Sequence, residues 1–79
     1  MNGAREQQIE YHKDGSIQAK GERIDGVLEG YWEWFRQDGT RMRSGYFLAG
    51  RQVGEWTTYD RDGEVVKVTS FDGKASASE

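Results

Sequence analysis

The sequence predicts an all-β protein, an antiparallel β-meander of about six strands built from three tandem β-hairpin repeats of 24 residues. Three observations predict it. First, Asp14-Gly15, Asp38-Gly39 and Asp62-Gly63 stand 24 residues apart, and the same offset carries Gly21 to Gly45, Gly26 to Gly50, Gly30 to Gly54 and Trp32 to Trp56. It also carries Tyr11 to Phe35 to Tyr59 and Phe47 to Phe71, in the same order within each unit, which is the mark of a structural repeat. Second, each Asp-Gly lies between β-prone runs, a strong short-range hairpin signal. Third, the segments free of glycine are too short for a convincing amphipathic helix.

Each unit reads as an aromatic strand, an Asp-Gly turn, a second strand and a glycine-spaced connection. "YWEWF" and "EWTTY" precede a turn, and "TRMRSGYF" and "EVVKVTSF" follow one. Equivalent residues keep to one face only if both kinds of turn preserve parity. A three-residue loop ending in a left-handed glycine does so. Gln37-Asp38-Gly39 and Leu48-Ala49-Gly50 suit such loops, because φ is positive at the last position and glycine accepts that without strain.

That register places Phe35 opposite Arg41, Trp34 opposite Met42, Glu33 opposite Arg43 and Tyr31 opposite Gly45. It also places Tyr59 opposite Val65 and Tyr11 opposite Ile17. Glu33 with Arg43 would be a favourable cross-strand charge pair. One face would then carry Ile9, Tyr11, Ile17, Ala19, Phe35, Phe47, Val53, Tyr59, Val65 and Phe71. The other would carry Trp32, Trp34, Met42, Tyr46, Trp56, Val66 and Val68. Neither is uniformly polar, whereas a domain usually needs two layers. The sheet is therefore expected to coil upon itself or to cover a face with a second molecule.

Composition bounds the chemistry. With 79 residues, one domain is expected, divided into a flank at 1–8, the repeat domain at 9–71 and a polar tail at 72–79. There is no cysteine and a single histidine, His12, so no disulfide and no Cys/His zinc site is available. Three Trp, four Tyr and three Phe argue against disorder. No apolar run approaches the roughly 20 residues of a membrane span, and the N-terminus does not read as a signal peptide. A cytoplasmic protein is expected. The net charge of −3, with acids and bases interleaved, argues against nucleic acid as the partner. Arg41, Arg43 and Arg51 form local basic patches, read as a solvated strand face.

No catalytic constellation stands out. Asp14, Asp38 and Asp62 each precede a turn glycine, where Asp serves backbone hydrogen bonding. His12 has nothing in the sequence to orient it as a base, and is read as an exposed strand residue. The spaced glycines do not lead into a helix, so they do not form a phosphate cradle. No catalytic residue, cofactor or metal ligand is assigned. The candidate partner-binding residues are Trp32, Trp34, Met42, Tyr46 and Trp56. They are read either as core packing or as a partner surface, since Trp and Tyr dominate binding hot spots. A homodimer through a sheet face or an open edge joins the two readings. The turn and repeat glycines are Gly15, Gly21, Gly26, Gly30, Gly39, Gly45, Gly50, Gly54 and Gly63.

"KGERIDGVLEGYW" and "SGYFLAGRQVGEW" resemble the MORN repeat. The longer unit "GYWEWFRQDGTRMRSGYFLAG" is similar to the bacterial MORN variant found in YwqK-type antitoxin proteins. The resemblance spans roughly residues 9 to 71. It departs from the pattern at Arg23, Gln8 and Thr69, where the other units have Phe, Trp and Gly, as end units of arrays often do. It implies a bacterial protein-interaction module, regulatory or antitoxin-like. Peripheral lipid association is the alternative that it implies, weakened by net acidity and by the lack of a basic amphipathic segment. It supplies no catalytic motif.

Overall fold

A computed structural model describes residues 5–72. The strands are β1 (Arg5–Tyr11), β2 (Ile17–Ile24), β3 (Val27–Phe35), β4 (Arg41–Leu48), β5 (Arg51–Tyr59) and β6 (Val65–Asp72). They form one sheet in chain order, and each neighbouring pair is antiparallel. The expected meander is the observed one. β1 begins at Arg5, inside the stretch 1–8 read as a flank. Residues 73–79, nearly all of the expected tail, lie outside the described residues.

Within each hairpin the turn is the expected three-residue loop. The amide of Arg36 donates to the Thr40 carbonyl (2.8 Å) and that of Gly39 to the Arg36 carbonyl (2.9 Å). His12 with Ser16 and Asp60 with Glu64 do the same around Gly15 and Gly63. The glycine φ is 91° at Gly15 and Gly39 and 84° at Gly63, a conformation that L side chains avoid. Asp14 and Asp38 close their turns from the side chain. Each accepts from the amide (2.9 Å) and the hydroxyl (2.6 Å) of Ser16 or Thr40 respectively. In the third hairpin Asp60, not Asp62, takes this part, accepting from the amides of Asp62 and Glu64.

The turns between hairpins differ from expectation. Leu48-Ala49-Gly50 is not a three-residue loop, because Leu48 pairs directly with Arg51. Ala49 (φ 53°) and Gly50 (φ 84°) form a two-residue turn, as do Asp25 (φ 54°) and Gly26 (φ 81°). Positive φ at both central residues is the type I′ geometry, whose twist matches that of the flanking strands.

The register inside the hairpins also departs from expectation, for one recurring reason. Phe35 does pair with Arg41, Tyr11 with Ile17 and Tyr59 with Val65. One residue later Gln18, Met42 and Val66, again 24 apart, are skipped by the ladder. A bulge of this kind moves every later pair by one. Trp34 therefore faces Arg43 rather than Met42, Glu33 faces Ser44 rather than Arg43, and Tyr31 faces Tyr46 rather than Gly45. Since side chains of paired residues share a face, Ala19, Phe47 and Phe71 join the tryptophans. Tyr46 and Val68 move to the opposite face, with Thr57 and Tyr59.

A second irregularity sits between hairpins. Gly30, Tyr31 and Trp32 together stand against Gly21 alone, and Gly54, Glu55 and Trp56 against Gly45 alone. Gly30 (φ 75°) and Gly54 (φ 69°) make the bend. The arch throws each indole back over the preceding strand, flat on its glycine. A Cβ on Gly21 would lie 2.1 Å from the Trp32 ring, and one on Gly45 would lie 2.1 Å from the Trp56 ring. The indole N–H then donates to the next carbonyl, Trp32 to Glu22 (3.0 Å) and Trp56 to Tyr46 (3.1 Å).

These two rings supply most of the core. Trp32 is 2% exposed, Trp56 6% and Ala19 3%, and these are the buried hydrophobic residues. Packing between elements runs between consecutive strands, so the described residues form a single layer. Further ties link each repeat to the next. A His12 ring nitrogen, Nε2, lies 2.9 Å from the Phe35 carbonyl, and Arg36 Nη2 donates to the Tyr59 carbonyl at 2.7 Å. The turn amide of Gly50 donates to the Leu28 carbonyl (3.0 Å), and that of Ala49 to Glu29 Oε1 (2.8 Å).

Candidate protein-binding face

One face of the sheet carries an aromatic row. Trp34 touches both other tryptophans, with ring centroids 6.0 Å from Trp32 and 5.2 Å from Trp56. Phe47 meets Trp56 edge-on at 5.1 Å, and Phe71 meets it at 6.2 Å. Offset and edge-to-face contacts like these add roughly 0.5–1.5 kcal/mol per pair beyond area burial. Of the candidate residues, Trp32, Trp34 and Trp56 are thus brought together. Met42 sits half-buried at the β4 bulge. Tyr46 does not join them: its ring meets that of Tyr31 at a tilt on the other face, centroids 5.2 Å apart, and it is 47% exposed.

Burial divides the group further. Trp32 and Trp56 are spent on their glycines, so Trp34, Phe47 and Phe71, each half-buried, are what the row offers to solvent. Phe47 and Phe71 were not singled out as partner residues, although their spacing of 24 was visible. Their face follows from the bulges at Met42 and Val66, which no side chain there announces.

A polar margin borders the row. Ala19, Trp34, Arg43, Thr58 and Lys67 pair in turn across five strands, so they share one face and one line. Beyond Trp34, a shallow groove of about 190 Å³ runs between Arg43 and Lys67, with Trp56 and Phe71 at its side.

The opposite face is knitted together by hydrogen bonds. Arg41 reaches Glu33 (3.0 Å) and the Tyr31 hydroxyl (3.2 Å), and its guanidinium lies 4.1 Å from the Tyr59 ring centroid. The Tyr59 hydroxyl and Ser44 Oγ are 2.8 Å apart. Partial burial pushes the Tyr31 phenol above its ordinary range, and the Glu33 charge adds to this. Arg41 is therefore a paired group rather than part of a free basic patch.

Of the residues weighed for catalysis, Asp14, Asp38 and His12 hold the turns and repeats together, whereas in the third turn Asp60 acts in place of Asp62. Asp14 and Asp38 accept from Ser16 and Thr40, and the His12 ring meets the Phe35 carbonyl. His12 is half-buried rather than the exposed strand residue expected. Its counterparts in later repeats are Arg36, which makes the equivalent tie to the Tyr59 carbonyl, and Asp60, which bonds within its own turn. Among the described residues no group of three or more His, Cys, Asp or Glu side chains could hold a metal ion. None of them forms a helix long and apolar enough to cross a membrane.

The Asp38 turn carries a pH signature. The Thr40 hydroxyl and amide, with the Arg61 guanidinium (2.9 Å), hold its carboxyl at about 2, below the ordinary 3.8. A folded value below the unfolded one means that this contribution is whole above about pH 4. It is lost as the pH falls toward 2. The urea midpoint should drop more between pH 5 and pH 2.5 in the native chain than in Asp38→Asn. Parallel curves would show that the carboxylate is not engaged.

Comparison with known proteins found no matching family model, no similar curated protein and no similar solved structure.

Proposed function

We propose that this chain is a non-catalytic protein-interaction module of MORN-like repeats, whose most concrete form is a regulatory or antitoxin-like role in the bacterial cytoplasm. The observation that carries the reading is the aromatic row of Trp34, Phe47 and Phe71, half-buried on a single-layer sheet with no second layer among the described residues. An apolar sheet face is ordinarily covered, and half-exposed aromatics are the residue type that anchors protein interfaces. The antitoxin-like form rests on the sequence resemblance alone.

The first partner to try is the product of the neighbouring reading frame, because antitoxins tend to travel with their toxins. Calorimetry on the purified pair should give saturable binding that Trp34→Ala weakens by about 2 kcal/mol or more. Tyr46→Ala, on the opposite face, should leave binding unchanged, and near-UV circular dichroism should verify that both variants are folded. Binding lost in Tyr46→Ala but kept in Trp34→Ala would move the interface to the tyrosine face. Tight self-association on gel filtration, abolished by Trp34→Ala, would make a second copy the partner.

A further inference from the structure

We infer that the aromatic face receives an extended acidic peptide, one carboxylate of which sits between Arg43 and Lys67 while a neighbouring apolar side chain rests on Trp56 and Phe71. This rests on the protein-interaction reading and specifies the partner's chemistry. Four observations lead to it.

Arg43, Thr58 and Lys67 are directly paired across β4, β5 and β6, so the two cations flank one threonine on one face. Neighbouring strands lie about 4.8 Å apart, which puts the two backbones about 10 Å from each other. Two long side chains can converge on one carboxylate across that gap. Both cations are exposed, and neither has an ion pair or a side-chain hydrogen bond among the described residues. Of the other arginines, Arg5, Arg41 and Arg61 are salt-bridged and Arg23 and Arg36 are bonded to carbonyls, while Arg51, exposed beside a turn, shares its row with no second cation.

The setting makes the pair unusual. Acids outnumber bases by 14 to 11 in this chain, yet the one acid in the row, Glu10, stands on β1, three strands from Arg43, and none lies in it on β4, β5 or β6. Like charges on one line repel, and it is opposite-charge cross-strand pairs that stabilise a sheet. Glu33, expected opposite Arg43, is bonded to Arg41 on the other face. The bulge at Met42 thus takes Arg43 away from Glu33, and the matching bulge at Val66 sets Lys67 opposite Thr58, in line with Arg43.

The groove between them suits a side chain rather than a large ligand. Its volume of about 190 Å³ is below the roughly 300 Å³ where small-molecule pockets begin. Gln52, Thr58 and Thr69 line it, offering polar groups beside the Trp56 and Phe71 rings. Arginine and lysine bind a carboxylate by charge-assisted hydrogen bonds, arginine as a fork. Two cations on a chain of net charge −3 do not make the continuous basic stripe that a nucleic-acid backbone requires. A peptide with one or two acids is the better match.

The test uses the full chain and a short capped peptide of alternating Thr, Phe and Glu, against a twin with Gln for Glu. The Trp56 indole signal and the Arg43, Thr58 and Lys67 amides are followed by NMR. The acidic peptide should bind at least roughly fivefold tighter than the twin at low salt, as expected for a charge pair at a surface site. That ratio should shrink as salt rises from about 50 to 500 mM and vanish in the Arg43→Gln, Lys67→Gln double variant. Equal binding of the two peptides, no binding of either, or a ratio that survives the double variant would overturn the inference. So would a single-stranded oligonucleotide that outcompetes the acidic peptide. If the double variant still binds the protein partner while Trp34→Ala does not, the carboxylate seat fails and the protein-interaction reading stands.

Discussion

Gly45→Ala is expected to cost about 3 kcal/mol or more, at the top of the usual range for overpacking. The added methyl would lie 2.1, 2.2 and 2.6 Å from Cδ2, Cε2 and Cε3 of Trp56. No real carbon sits there. The ring has little room to retreat, because its N–H is bonded to the Tyr46 carbonyl and Trp34, Phe47 and Phe71 press on it. Gly39→Ala is the instructive contrast. Its Cβ would meet nothing within 4 Å, and only the φ of 91° is unfavourable, a cost of roughly 1–2 kcal/mol. Urea titration of both variants measures the difference. If Gly45→Ala were as mild as Gly39→Ala, the indole would not be seated on that strand.

Trp32→Ala should cost more still, roughly 3–5 kcal/mol, as truncation of a buried aromatic does. Trp32 is 2% exposed, covers Gly21 and donates to the Glu22 carbonyl. The total stability of a chain this size is only about 4–12 kcal/mol at 0.05–0.15 kcal/mol per residue, so this single change should unfold a large fraction of the molecules. Tyr46→Ala, at 47% exposure, should stay within about 1 kcal/mol, as surface changes usually do. Circular dichroism and urea midpoints decide the matter. A folded Trp32→Ala of near-native stability would mean that the core lies elsewhere.

The fold was legible because the period of 24 repeats both the Asp-Gly turns and the aromatic positions. Glycine at positive φ beside aspartate is strong local chemistry, and it set the hairpins correctly. The face of each side chain was harder to read, because parity depends on every inserted residue. Nothing about Met42 marks it as the residue that the ladder skips; Gln18 and Val66 do the same with unrelated side chains. Ala49 at φ 53° disguised a two-residue turn, since alanine is not the residue that geometry favours. Gly30 and Gly54 were visible as repeat positions, but their bend decides that a tryptophan, not a tyrosine, covers Gly21 and Gly45. For the candidate site, Trp34 was readable from the sequence. Phe47, Arg43 and Lys67 needed the true register.

Each indole lies on the strand before its own. Gly21 emerges from the ribosome ahead of Trp32, and Gly45 ahead of Trp56, in both cases by 11 positions. A newly made hairpin therefore stays unlatched until its successor has been synthesised. The growing chain secures itself from behind, one step late, like a zip whose teeth close only after the slider has passed.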